Sequence, residues 1–155
     1  LLYYGDELAM AGGGDPDNRR DFPGGFPGDE RNAFTRAGRT AVENDVFEHL
    51  KLLTKLRARM PALRRGALVQ IYDEEQQTVF ARTLDGYPPM FIAFNNDTKP
   101  VTFDFDVGMF GLSDSATLAD LLNVVKDVRI SNGKARVTLP ARSASIITPA
   151  WVGAM

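Results

Sequence analysis

The apolar period of this chain changes once, and that change fixes what it can fold into. Over residues 40–60 the apolar positions recur at three- and four-residue steps: Val42, Val46, Leu50, Leu53, Leu56 and Met60. That spacing predicts one amphipathic helix. Thr40 followed by Glu43 predicts a capping box at its start, the hydroxyl serving one orphan amide and the carboxylate another. Lys51, Lys55, Arg57 and Arg59 crowd the C-terminal half, where cations suit the helix dipole, and Pro61 predicts the end. From about residue 66 the period falls to two. Leu68–Tyr72, Thr78–Arg82, Met90–Phe94, Val101–Phe105, Ala135–Leu139 and Ser143–Ile147 each read as strands. Turn signals separate them at 73–77, Asp85-Gly86, 95–97 and Asn132-Gly133, the last a type I′ hairpin candidate. Short strands at this spacing predict an antiparallel β-sandwich.

The segment before the helix is different in kind. Leu1-Leu2-Tyr3-Tyr4 is an apolar run broken by Gly5-Asp6-Glu7, the pattern of a buried strand with polar chemistry just past its carboxyl end. A loop rich in glycine, proline and charge follows, to about residue 39. Loops of that length inside compact domains are usually functional or disordered. Composition narrows the function classes. With 18 basic and 20 acidic residues there is no basic stripe for a phosphate backbone, so no nucleic-acid partner is expected. No run of 18 apolar residues exists to span a membrane as a helix. The absence of cysteine removes disulfides, thiol nucleophiles and thiolate metal sites, and leaves localisation unassigned.

Leu1-Leu2-Tyr3-Tyr4-Gly5-Asp6-Glu7, running into Gly12-Gly13-Gly14-Asp15-Pro16-Asp17-Asn18-Arg19-Arg20-Asp21-Phe22, resembles the last barrel strand and following loop of the alpha-amylase family of glycoside hydrolases. Within that family the string looks most like the cyclomaltodextrinase, neopullulanase and maltogenic-amylase group. Leu56-Arg57-Ala58-Arg59-Met60-Pro61-Ala62-Leu63 is similar to the family's helix ending. The resemblance implies an α+β C-terminal fragment: residues 1–63 as the last strand-loop-helix unit of a TIM barrel, residues 64–155 as the antiparallel β-sandwich domain that follows it. It further implies a parent enzyme that cleaves α-1,4-glucosidic bonds of maltooligosaccharides or cyclodextrins by double displacement. Such retaining chemistry needs two carboxyl groups about 5–5.5 Å apart. The family's three acids follow earlier barrel strands, so no catalytic residue is assigned in this chain, which is expected to be inactive alone. The implied partner is an α-glucan. No cofactor is expected here, calcium being possible in the parent enzyme, and a homodimer is left open.

In the cyclomaltodextrinase-like group an aspartate and an arginine four residues later reach bound glucan. Asp15 and Arg19 hold that spacing and are the candidate substrate-binding residues. A carboxylate and a planar guanidinium both suit sugar hydroxyls, and the same pair can equally fasten the loop as an ion pair. Asp6 and Glu7 read as supporting or capping acids, since neighbours on a strand point to opposite sides. Asp15, Asp17, Asn18 and Asp21 fail the EF-hand pattern, because Arg19 and Arg20 fall where a ligand and a glycine are needed. Gly12-Gly13-Gly14 is no phosphate loop. Phe22 and Phe26 are candidate stacking faces that can also pack beneath the loop. His49 reads as a packed or surface residue, and Trp151 as a pin for the last strand. For the β block two alternatives to a share in the enzyme's chemistry stand beside each other: a carbohydrate-binding module and a purely structural one.

Overall fold

The computed structural model describes residues 1–126 and 128–150. The chain folds as two compact units, Leu1–Arg59 and Met60–Met155.

In the first unit the expected opening strand is absent. A strand needs a neighbour for its ladder, and none lies beside residues 1–4 among the described residues. Leu1, Leu2, Tyr3 and Tyr4 are exposed instead. Gly5, at φ 91°, turns the chain into a 3₁₀ turn over Asp6–Leu8, with the Asp6 amide donating to the Tyr3 carbonyl at 3.1 Å. A second 3₁₀ turn spans Asp17–Arg19.

Helix α1 runs Ala41–Arg59, close to its expected span. The capping box forms as the sequence predicts: the Glu43 amide donates to Thr40 Oγ1 at 3.2 Å, and the Thr40 amide to Glu43 Oε2 at 2.8 Å. Met60 falls outside the helix with ψ 102°, because the proline that follows disfavours helical backbone in its predecessor. Arg39 anchors the preceding loop. It is 9% exposed, donates to Asn44 Oδ1 and the Ala33 carbonyl, and lies 3.9 Å above the Phe47 ring.

The second unit opens with a short helix α2, Pro61–Arg65, and is otherwise mostly sheet. Its strands are β1 Ala67–Asp73, β2 Gln77–Thr83, β3 Met90–Asn95, β4 Val101–Asp106, β5 Leu118–Asp120, β6 Arg129–Ser131, β7 Lys134–Leu139 and β8 Ser143–Pro149. They form an antiparallel five-stranded sheet in the order β1-β2-β3-β8-β5 and an antiparallel three-stranded sheet in the order β4-β7-β6. Val79, Ala81, Phe91, Ala93 and Ile147 from the larger sheet share one core with Phe103, Phe105, Ala135, Val137 and Leu139 from the smaller. Phe91 and Phe105 meet across it with ring centroids 5.6 Å apart.

All six strands read from alternation are present. β5 and β6 are three residues each, too short for a period to show, and are defined by pairing to β8 and β7. Asn132 and Gly133, at φ 53° and 72°, make the two-residue turn between β6 and β7. Asp114 pins that turn by accepting both amides, at 2.8 and 3.0 Å. Asp120 does the same for the irregular segment after β5, accepting amides from Leu122, Val124, Val125 and Ile146 at 2.6–3.1 Å. Trp151, expected to pin the last strand, lies outside the described residues.

Candidate functional site

The loop from Met10 to Arg20 is where the chemistry-bearing residues of the first unit gather. Asp15 and Arg19 are brought together as their spacing predicts: Arg19 Nη2 lies 3.1 Å from Asp15 Oδ1. The contact is single and loose, with side chains 64% and 75% exposed. An ion pair that open to water contributes little to stability, so both groups stand ready to exchange partners.

Next to it sits a tighter pair that sequence reasoning did not single out. Asp17 receives Arg20 through two parallel hydrogen bonds, Nε to Oδ1 at 2.6 Å and Nη2 to Oδ2 at 2.7 Å. Its Oδ2 also accepts the Gly13 amide at 2.8 Å. The Arg20 fork, and after it the Gly13 amide, hold the Asp17 carboxyl below the usual carboxylate range. The signal was present in an aspartate and an arginine three residues apart, the spacing that a 3₁₀ turn brings onto one side. A cleft of about 230 Å³ adjoins this pair, with Tyr3, Tyr4, Asp6, Met10, Asn18 and Arg20 in its wall. Asp15 and Arg19 lie outside that wall.

The remaining acids of the region are committed locally. Asp6 accepts the Tyr3 amide at 2.8 Å and Glu7 the Gly5 amide at 3.0 Å, which is the capping role. The Asp15–Asp21 cluster makes no cation cage, because arginines occupy Asp15 and Asp17. Among the described residues no three His, Cys, Asp or Glu side chains converge as metal ligands. Phe22 packs on Phe34 with ring centroids 4.7 Å apart, whereas Phe26 is 65% exposed and keeps a free face. His49 is on the exposed side of α1.

The loop is tied to the start of α1 by Arg31, whose Nη1 and Nη2 each lie 2.7 Å from a Glu43 oxygen. That fork, then the Thr40 amide, lowers the Glu43 carboxyl from 4.5 to about 2. Because the folded value is depressed, the stabilisation is fully present above pH 4.5 and is lost as pH falls toward 2. Glu43→Gln should therefore cost about 1–2 kcal/mol at pH 7 through the lost charged fork to Arg31, since the amide oxygen can still accept the Thr40 N–H. It should also flatten the stability curve between pH 5 and 2 relative to the parent chain. Urea unfolding across that range measures both effects.

No family model matches the chain. Curated relatives do. It is 28% identical over 152 residues to an amylopullulanase of Thermoanaerobacterium saccharolyticum, covering 92% of this chain and 11% of that protein. It is 33% identical over 100 residues to a cyclomaltodextrinase of Geobacillus thermopakistaniensis, covering 63% of this chain and 15% of that protein. Among solved structures, an Anoxybacillus alpha-amylase superposes with a TM-score of 0.71 at 29% identity, covering 95% of this chain and 28% of that one. A debranching enzyme from Nostoc punctiforme gives a TM-score of 0.70 at 31% identity, with 95% and 27% covered. The chain thus spans about a tenth of the length of the amylopullulanase and about a quarter of the solved structures it matches.

Proposed function

We propose, from the chain's kinship with alpha-amylase-family glycoside hydrolases, that it is the C-terminal part of a retaining α-glucan hydrolase acting on α-1,4-glucosidic bonds. Residues 1–63 are then the end of the catalytic barrel and residues 64–155 its β-sandwich domain. The observation that carries this reading is the extent of the match, 92–95% of the chain, which takes in both units at once. An isolated sheet module would match over the second unit alone. In this reading Asp15 and Arg19 meet sugar hydroxyls, exchanging their exposed contact with each other for hydrogen bonds to the glucan. The test is made in the protein from the complete reading frame. Asp15→Ala and Arg19→Ala should each raise KM for maltoheptaose roughly tenfold while kcat changes little, the pattern of lost uniform binding. An unchanged KM in both variants would remove the pair from the binding site.

For the β-rich unit a structural role is favoured over carbohydrate binding. Tyr72 stacks on Phe103 at 4.8 Å and packs against the core, which occupies one face of its ring. The five-stranded sheet carries large apolar side chains on both sides, those opposite its core interspersed with Gln70, Thr78 and Arg82. Opposite its core face the register places Leu68, Phe80, Met90, Ile92, Phe94 and Ile146. Phe80 and Phe94 stack there at 6.1 Å, and Leu68 and Phe94 remain exposed. Sheets with two apolar faces are middle layers, covered on both sides. We assign that outer face to packing within the parent enzyme.

A further inference from the structure

The loop holds two acids and two arginines within six residues, Asp15, Asp17, Arg19 and Arg20, and they can pair off in two ways that satisfy charge. The structure selects one. Asp17 and Arg20 make the two-pronged contact, leaving Asp15 and Arg19 with a single contact of 3.1 Å. A bidentate carboxylate–guanidinium pair fixes both partners in plane, whereas a single contact lets each side chain swing.

The fork also closes the loop. Asp17 Oδ2 holds the Gly13 amide on one side, and the Arg20 carbonyl accepts Tyr4 Oη at 3.2 Å on the other. Between these ties the backbone is drawn into the 3₁₀ turn, with the Asp17 amide on the Gly14 carbonyl at 2.8 Å and the Arg19 amide on the Pro16 carbonyl at 3.0 Å. Asp15 and Arg19 project from the segment so held.

We propose that Asp17, acting through Arg20, is a positioning residue for the glucan-contacting pair. It fixes the turn that carries Asp15 and Arg19, and it sequesters the guanidinium that would otherwise compete for Asp15. This inference rests on the binding role given above to Asp15 and Arg19. Removing Asp17 leaves those two side chains in place but lets the turn open and frees Arg20 to pair with Asp15. The ground-state complex then weakens while the reacting centre is untouched.

The experiment uses the complete enzyme, with maltoheptaose as the probe. Asp17→Asn, whose amide cannot accept the fork, should raise KM roughly fivefold with kcat within twofold of the parent. Arg20→Gln should raise KM similarly, and the double variant should be no worse than either alone, because residues of one unit are not additive. Asp17→Glu, which keeps a two-oxygen acceptor, should recover part of the loss. A KM unchanged in Asp17→Asn, or a lowered kcat at constant KM, overturns the proposal while leaving Asp15 and Arg19 in the binding site, provided Asp15→Ala and Arg19→Ala raise KM in the same assay. If those two variants leave KM unchanged as well, the binding role itself fails, and the positioning role falls with it.

Discussion

Asn95→Ala is expected to lower the stability of the β-rich unit by about 3 kcal/mol, through one buried carbonyl and several part-buried groups that lose this partner. Asn95 is 1% exposed and uses its whole amide. Its Nδ2 donates to the carbonyls of Lys99, Leu139 and Pro140 at 2.8–3.2 Å. Its Oδ1 accepts from Gln77 Nε2 and the Asp97 amide, both at 3.0 Å. One side chain at the end of β3 thus ties the larger sheet to the end of β7 in the smaller. Truncation leaves the buried Leu139 carbonyl without this donor, which costs about 1–3 kcal/mol, and takes a partner from the part-buried carbonyls of Lys99 and Pro140 as well. Asn95→Asp should be at least as damaging at pH 7, since a carboxylate would then face those carbonyls. With a urea dependence of about 1.5 kcal/mol per molar, the midpoint of the sheet signal should fall by about 2 M. A shift below about 0.5 M would show that the two sheets do not depend on this amide.

Asn95 also marks what a linear reading can and cannot find. In the sequence it belongs to a turn signal at 95–97, because asparagine before a loop has that meaning by default. Its bond to Leu139 spans 44 residues and has no local trace. The six longer strands were legible because one wet and one buried face impose alternation, as in β4, where Phe103 and Phe105 are buried and Thr102 and Asp106 exposed. β5 and β6 left no period to read. The helix start was legible because capping chemistry is confined to four residues, Thr40 to Glu43. The Arg31 fork on that same Glu43 was not, its partners lying twelve positions apart.

The opening run is the instructive failure. Leu1 to Tyr4 have the composition of a buried parallel strand, yet such a strand exists only as a member of a ladder. In the structure the same residues turn at Gly5 and stay exposed. In the candidate site, the i, i+4 spacing of Asp15 and Arg19 was readable, and their contact forms. The stronger Asp17–Arg20 pair does not stand out in the sequence, because spacing cannot rank two overlapping charge pairs. Geometry does, by giving one of them two hydrogen bonds and the other a single contact.

If this chain carries part of a glucan-binding surface while the bond-breaking acids belong to the rest of its enzyme, as proposed, the consequence is all-or-none. Retaining hydrolysis needs a nucleophile and an acid/base on either side of one glycosidic bond. In and beside this loop Asp6 and Glu7 accept backbone amides, and Asp15 and Asp17 hold arginines. None of the four is a free carboxyl facing a second across a sugar's width. Positioning without that pair gives binding and no turnover. The decisive measurement is reducing-sugar release from maltoheptaose and β-cyclodextrin by this chain and by the protein from its complete reading frame. Release by the complete protein and none by the chain is the expected result. Release by the chain alone, or by neither, would contradict it.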